Sequence, residues 1–161
     1  MPRVLTQTFG VVGAIIEKGG KILLVRETTE KDKNKWNHPA GWIEVSEDPI
    51  EAVKREVKEE AGVRFFPTHI LGVYSLFRKD LKKEFNVTPH PIKIIFIGKI
   101  SKKKTTRLSD DISETKWFLP KEIAKMDKNT LRDLDIKKMV KDYFAGKKFS
   151  LESIVHTVAT K

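Results

Sequence analysis

Cysteine is absent from the 161 residues of this chain. Without thiols, the chain forms neither disulfide bonds nor thiolate metal sites, and such a composition suits a reducing cytosol. Long apolar runs are also missing, since no stretch approaches the about 20 residues that a membrane-spanning helix needs. The first residues lack the basic start and the cleavage site typical of a secretory signal. These absences predict a cytoplasmic protein with no membrane partner.

Acidic residues are the minority among the charged ones. The chain has 32 Lys and Arg against 22 Asp and Glu, a net charge of +10, with basic residues concentrated at 78–83, 99–107 and 137–148. A basic surface attracts phosphate-bearing partners. Because aromatic residues are sparse in these stretches, a solvated surface or a small phosphorylated substrate is favoured over RNA or DNA, although net charge alone does not identify the partner.

The length and the hydrophobic content of 39% fit a single folded domain spanning 1–161. We see no internal repeat and no linker. The sequence leaves open whether this domain is a monomer or a homodimer.

One segment, 41–63, organises the chain. Asp48 followed by Pro49 predicts the start of a helix, because an acidic cap and a proline both suit the first turn. Gly62 predicts its end. Between them, apolar residues recur at intervals of three and four and form one stripe that faces a core. The stripe consists of Ile50, Val53, Val57 and Ala61.

Three glutamates of this helix, Glu56, Glu59 and Glu60, are spaced so that they share another face. Taken alone, such a run is most typical of a solvated helix face with Glu–Lys pairs. Without a partner, however, these carboxylates repel one another. A hard divalent cation such as Mg²⁺ turns that repulsion into a binding site.

The wider pattern favours the metal site. It consists of Gly41, five residues, Glu47, seven residues, and then REVKEEAGV over 55–63. This stretch resembles the Nudix box, and every specified position matches. The resemblance implies an α/β fold, an α/β/α sandwich around a central mixed β-sheet. It also implies a hydrolase that acts on a nucleoside diphosphate linked to another group and depends on Mg²⁺ or Mn²⁺.

The resemblance also assigns roles by position. Glu56 is expected to be the general base. Glu47 is expected to pair with Arg55, which projects about 100° around the helix from the metal face, and the two hold the catalytic helix against the preceding loop. Glu44 is a candidate outer ligand. The expected metal ligands are Glu56, Glu59, Glu60 and the backbone carbonyl of Ala40.

Four residues outside the helix are candidates for substrate binding. Arg26 ends a predicted strand and is a candidate phosphate contact, unless it is simply an exposed strand-end arginine. Trp36 and Trp42 flank the segment that leads into the box and are candidates for stacking on a substrate ring, although Trp36 also fits a packing role. His38 is a candidate for contacting phosphate or shuttling a proton, or a surface histidine held by the loop.

The rest of the chain predicts alternating strands and loops. The predicted strands are Phe9–Glu17, Lys21–Arg26, one within 63–77, Ile92–Ile100 and Glu114–Leu119, with loops at 28–35, 78–91 and 101–111. A short helix is predicted to start at Pro120. A C-terminal helix that stops at Gly146 is predicted from Leu131, Leu134, Met139, Val140 and Phe144.

A closer resemblance covers most of the chain. Glu27-Thr28-Thr29, the segment 36–41, Asp111-Ile112 and the segment 146–154 resemble the NudJ-type phosphatases. That group hydrolyses nucleoside tri- and diphosphates and the pyrophosphates of thiamine and its pyrimidine precursor. The chain departs from it at Trp42, where histidine is usual, and at Ser46, where glycine is common.

The sequence therefore predicts a Mg²⁺-dependent hydrolase in which water attacks a phosphorus atom of a small pyrophosphate. One alternative is an RNA 5′-pyrophosphohydrolase or decapping enzyme served by the basic loops. Another is a non-catalytic nucleotide-binding module. The module is disfavoured because such proteins commonly lose box glutamates, and this chain keeps them all.

Overall fold

The computed structural model describes residues 8–79, 88–102 and 107–159. The strands in these ranges are β1 (Thr8–Ile15), β2 (Glu17–Lys18), β3 (Lys21–Glu27), β4 (Trp36–Asn37), β5 (Ala40–Trp42), β6 (Phe65–Ser75), β7 (His90–Ile100), β8 (Ile112–Phe118) and β9 (Phe149–Ser150). The helices are α1 (Pro49–Ala61), α2 (Pro120–Lys125) and α3 (Ile136–Phe144). None of the helices in the described ranges is long and apolar enough to cross a membrane.

The larger sheet is mixed, as expected. Its strand order is β5-β1-β7-β6-β9. Strands β1 and β7 run parallel, from Thr8 opposite His90 to Ile15 opposite Ile97, and the other pairs are antiparallel. In the smaller sheet, β3 pairs antiparallel with β2, β4 and β8.

Helices cover both faces of the larger sheet. Because side chains alternate along a strand, neighbours such as Ile95 and Phe96 point to opposite faces. Phe96 joins Val12 in a buried cluster with α1, whereas Ile95 joins a second cluster with α2 and α3. The sheet is therefore the middle layer of an α/β/α sandwich, and the predicted fold class is confirmed.

Helix α1 begins and ends where the sequence predicts. An Asp48 carboxylate oxygen accepts a hydrogen bond of 2.6 Å from the Ile50 backbone N–H. Gly62 adopts a left-handed φ of 69°, and its N–H donates to the Lys58 carbonyl. The buried stripe differs slightly from the prediction, because Ala52 is fully buried while Ile50 is only partly buried.

The C-terminal helix is shorter than predicted. It begins at Ile136, because the preceding segment is held in other contacts. Leu131 is buried in an isolated bridge to Trp36, while Leu134 is half exposed. Strand β8 starts at Ile112, earlier than predicted.

The predicted basic loops are only partly covered by the structure. Residues 80–87 of the first loop and 103–106 of the second lie outside the described residues.

Candidate active site

The box glutamates spread around one side of α1. At about 100° per residue, Glu60 lies about 40° to one side of Glu56 and Glu59 about 60° to the other. Glu56 is only 8% exposed, whereas Glu59 is exposed. Glu56 therefore occupies the middle of a ridge, with one glutamate on each flank.

Glu60 is fixed on the β5 side of the ridge. Its carboxylate accepts a hydrogen bond of 2.9 Å from the Ala40 backbone N–H. Burial raises the pKa of Glu60 well above its usual range, the Ala40 hydrogen bond opposes that rise, and the nearby charges of Glu27 and Glu56 add to it. The protein groups around Glu60 therefore do not fully offset the free-energy cost of burying its negative charge.

Glu56 depends on the absence of a side chain at Gly41. A Cβ atom at Gly41 would lie 2.2 Å from the Glu56 Oε1 atom, so only glycine lets the carboxylate rest against β5. Burial raises the pKa of Glu56, and the hydrogen bond from Arg55 opposes this rise. The first glycine of the box thus makes room for its central carboxylate.

The Arg55 guanidinium holds the loop before α1. It makes a two-point contact with Glu47, from Nε to Oε1 at 2.8 Å and from Nη2 to Oε2 at 2.9 Å, and Nη2 also donates to the Trp42 carbonyl at 3.0 Å. The pairing predicted for Glu47 and Arg55 is confirmed. Glu44 contributes its backbone N–H to Glu47, and its own side chain is exposed.

The expectation that Arg55 points away from the metal face is wrong. Its Nη1 atom donates to Glu56 at 2.6 Å and lies 3.3 Å from a Glu59 carboxylate oxygen. The long side chain turns back along the helix, because three carboxylates attract it. Arg55 therefore touches both the supporting loop and the candidate ligands.

The pocket on the Glu60 side, here called the inner pocket, has a volume of about 600 Å³. Acidic, basic and aromatic side chains share its wall. They include Glu27, Glu56, Glu60, Asp111, Asp133, Lys31, Arg78, Lys93, Arg132, Phe9, His38 and Trp42. The ring of Trp42, 65% exposed, lies with its centroid 4.7 Å from that of Phe9, so this wall offers a flat aromatic surface.

Salt bridges that the sequence analysis missed form much of this wall. Arg132 donates to Glu27 at 2.8 Å. The Lys93 Nζ atom lies 2.7 Å from Asp133 and 3.0 Å from Asp135, and Arg78 pairs with the same Asp133. The signal available in the sequence was a lysine inside an otherwise apolar strand.

Two of the predicted substrate residues, Trp42 and His38, line the inner pocket. His38 is fully buried rather than on the surface, and neither ring nitrogen has a hydrogen-bond partner among the described residues. Burial lowers the pKa of His38 to about 3, so the imidazole is neutral. A neutral imidazole carries one donor and one acceptor, and it neither repels a cation nor adds charge.

The other two, Trp36 and Arg26, lie apart from the residues that line the inner pocket. The Trp36 ring packs edge-on against Phe118, with centroids 4.8 Å apart. Arg26 lies over the Trp36 ring and pairs with Glu114 at 2.8 Å. Trp36 and Arg26 thus link β4 and β3 to β8. These contacts give no support to a role in substrate binding.

A family model of the Nudix domain matches residues 6–141. The chain belongs to the Nudix family. Phosphatase NudJ of Shigella boydii is 30% identical over 144 residues, which cover 89% of this chain and 88% of that protein. ADP-ribose pyrophosphatase of Methanocaldococcus jannaschii is 35% identical over 138 residues, which cover 84% and 73%.

A solved structure agrees with this assignment. A Nudix hydrolase from Nitrosomonas europaea superposes with a TM-score of 0.80 at 29% identity, covering 94% of this chain and 98% of that one. The chain is therefore a Nudix hydrolase. Nudix hydrolases act on small phosphorylated substrates and generally use divalent metal cations.

The donor set of this Nudix hydrolase fits such a cation. Among the described residues, no three His, Cys, Asp or Glu side chains form a ready-made metal cluster. Instead, Arg55 and the Ala40 N–H hold the box carboxylates. All the candidate donors are oxygens, which hard cations prefer. The raised pKa values of Glu56 and Glu60 mark buried charges that a cation would neutralise.

A second pocket lies on the opposite flank of the Nudix helix. This outer pocket has a volume of about 670 Å³. It is lined by Glu47, Glu51, Lys54, Arg55, Lys58, Glu59, Arg64, Phe65, Phe66, Arg107 and Ser109. The helix thus separates two pockets, with Glu56 and Glu60 lining one and Glu59 lining the other.

Proposed function

We propose that this Nudix hydrolase uses Mg²⁺ to cleave the pyrophosphate linkage of small nucleoside di- or triphosphates or related pyrophosphates. The observation that carries the proposal is the placement of the buried Glu56 and the partly buried Glu60 in the wall of a pocket that also has basic and aromatic side chains. The names of the relatives, a phosphatase and an ADP-ribose pyrophosphatase, support the same class of reaction.

The box supplies the groups that hold the cation. We assign this role to Glu56, Glu59, Glu60 and the Ala40 carbonyl. When bound, Mg²⁺ neutralises phosphate charge and lowers the pKa of the attacking water. No cysteine or imidazole is required, in keeping with the preference of Mg²⁺ for oxygen.

Glu56 is the residue we assign as general base. Burial brings the pKa of its carboxyl nearer to neutral pH, where a base accepts a proton most effectively. Arg55 orients the carboxylate through a hydrogen bond of 2.6 Å, and Glu47 fixes the guanidinium in turn. The pair of Glu47 and Arg55 therefore positions the base without touching the substrate.

The inner pocket supplies the contacts for the rest of the substrate. Arg132 and Lys93 are held by buried carboxylates, so their positive charges have defined positions beside the box. Trp42 and Phe9 form a flat surface for a base or another aromatic ring. His38 also lines this pocket, as a neutral imidazole.

A substrate panel tests the proposal. The panel compares kcat/KM for nucleoside di- and triphosphates, ADP-ribose, thiamine pyrophosphate and a 5′-triphosphorylated RNA, each with and without Mg²⁺. We expect small pyrophosphates to be preferred. RNA preferred by about tenfold or more, a difference of about 1.4 kcal/mol, would favour the RNA-directed alternative. No turnover of any compound would favour the non-catalytic module.

Two tryptophan variants test the aromatic surface. Stacking contributes roughly 1–3 kcal/mol per base, so Trp42→Ala should lower kcat/KM for aromatic substrates roughly 5- to 150-fold and spare inorganic pyrophosphates. Trp36→Ala is the matched control, because that ring packs on Phe118 instead. A larger loss from Trp36→Ala than from Trp42→Ala would reverse the assignment.

Three expectations from the sequence remain predictions. They are a cytoplasmic location, a single domain over 1–161, and a monomeric or homodimeric state.

A further inference from the structure

The outer pocket adjoins the box and shares Glu47, Arg55 and Glu59 with it, but its other lining residues have no part in the chemistry assigned above. Arg55 connects the two sides of the ridge, because its Nη1 atom contacts both Glu56, in the inner pocket, and Glu59, in the outer one. A pyrophosphate linkage bound at Glu56 therefore lies between the inner pocket and the outer pocket.

The lining of the outer pocket is mainly basic, with five basic and three acidic side chains. The acidic ones are already engaged, since Glu47 and Glu59 contact Arg55 and Glu51 contacts Lys54. Arg64 pairs with no carboxylate of the described residues; its guanidinium lies over the Phe66 ring, 6.0 Å from the centroid. Arg107 is paired as well, with Asp110. The positive charge of Arg64 therefore favours an anion.

The floor of the outer pocket adds an aromatic surface. Phe66 is 50% exposed, although it lies in a strand whose neighbour Phe65 is buried. The segment carrying Arg107 is fixed beside it, because the Ser109 N–H donates to the Glu59 carbonyl at 2.7 Å. The guanidinium of Arg64 beside the half-exposed Phe66 ring suits a ligand that combines a phosphate with a flat ring.

We propose that the outer pocket binds a second phosphorylated group of the substrate, on the far side of the scissile linkage from the inner pocket. The ligand class is a phosphate joined to a flat ring, such as a second nucleoside monophosphate. Arg64 binds the phosphate and Phe66 stacks on the ring. This proposal rests on the proposed function, because it extends the same substrate across the box.

A binding experiment tests the pocket independently of turnover. AMP is titrated into the protein in excess chelator, and backbone amide shifts are followed by NMR. We expect one set of shifts near Gly41 and Trp42 and a second near Arg64 and Phe66. Arg64→Glu should remove the second set only. Lys21→Glu makes the same charge change at an exposed residue remote from both pockets and should keep both sets.

Kinetics then test the role in the reaction. Arg64→Glu should lower kcat/KM for a dinucleoside tetraphosphate about tenfold more than for ATP, whereas Lys21→Glu should not alter this ratio. The proposal is overturned if wild-type protein lacks the second set of shifts, or if both variants behave alike. If wild-type protein hydrolyses no pyrophosphate, the proposed function fails, and the AMP titration still decides whether the outer pocket binds nucleotide.

Discussion

The guanidinium of Arg55 lies among the carboxylates of Glu47, Glu56 and Glu59. Its side chain is 26% exposed, so these contacts are only partly screened by water. The same side chain therefore stabilises the loop before α1 and restrains the candidate base. Stability and turnover should change together when it is altered.

Arg55→Ala should lower the free energy of unfolding by about 2–4 kcal/mol, because it leaves three carboxylates without their partner. It should also lower kcat. Arg55→Lys is the control: it keeps the charge but loses the two-point contact, so its effects should be smaller. Thermal unfolding and steady-state kinetics on the same samples give the answer. A rise in KM alone, at unchanged stability, would make Arg55 a substrate ligand instead.

Glu60→Gln should separate activity from stability. The amide keeps an acceptor for the Ala40 N–H but cannot replace the negative charge, so turnover should fall about 100-fold or more. The pKa of Glu60 is raised on folding, so its ionised form reduces stability above its unfolded pKa. In excess chelator at neutral pH, the variant should therefore melt at a higher temperature than wild type. A lower melting temperature there, or near wild-type turnover, would contradict this reading.

The residue roles were predictable from the sequence only in part. The pairing of Glu47 with Arg55 follows from the box pattern, whereas the contact of Arg55 with Glu59 depends on side-chain flexibility. The burial of His38 was not predictable, because it depends on close packing against Gly13 in a neighbouring strand. Contacts set by distant chain segments leave little trace in local sequence.

At the scale of elements, the contact between α1 and β5 determines whether the carboxylates converge. Gly41→Ala places a methyl group 2.2 Å from the Glu56 carboxylate, so strand or side chain must move. We expect turnover to fall roughly 10- to 100-fold, since displacements of about 1 Å at a reacting group have effects of this size. Gly10→Ala is the control, because its Cβ meets only the flexible end of Ile43, and it should change turnover far less. Equal losses would contradict the prediction.

Helix α3 is joined to the larger sheet by a tyrosine. The Tyr74 hydroxyl donates to Asp142 at 2.9 Å. Tyr74→Phe should lower the free energy of unfolding by about 1.5–3 kcal/mol, as expected for a hydrogen bond to a charged group. Tyr143→Phe is the matched control, since its hydroxyl lies 3.3 Å from Glu17, and its loss should be smaller. Urea unfolding measures both.

The same contact gives a pH dependence. The hydrogen bond from Lys138 lowers the pKa of Asp142, with Tyr74 contributing in the same direction. A carboxyl group with a lowered pKa adds stability above its unfolded pKa, and that stability is lost as the pH falls through the folded pKa. The difference between wild type and Tyr74→Phe should therefore shrink in acid. A difference that stays constant from neutral pH to below the pKa of Asp142 would contradict this.

Helix α1 was predictable to the residue because its caps and its box are local signals. Helix α3 was not, because the apolar spacing continues backwards through Leu131 into a segment held by Lys93 and Asp133. The spacing of apolar residues indicates which residues are buried, but it does not show whether they belong to a helix.

For the whole molecule, metal binding should raise the free energy of unfolding. A cation that binds only the folded protein adds about 2.7 kcal/mol at 100 times its Kd. For a chain of this length, that corresponds to a rise in Tm of about 5–10 °C. Thermal scans with Mg²⁺, Mn²⁺ or excess chelator measure the effect, with Glu60→Gln as the control that should respond less. No rise in wild type at saturating concentrations of either metal would contradict the metal site.

The parallel pairing of β1 with β7 has a consequence for how the protein is made. Thr8 lies opposite His90 and Ile15 opposite Ile97. Strand β1 is therefore synthesised early, but its partner β7 is synthesised only after more than half of the chain. Helix α1 packs on β1, yet β1 gains its second neighbour only after β7 has left the ribosome. Such long-range pairing slows folding. The carboxylates of the nascent chain therefore gain their final arrangement late in translation, and a truncated transcript that encodes the entire box still yields no assembled site.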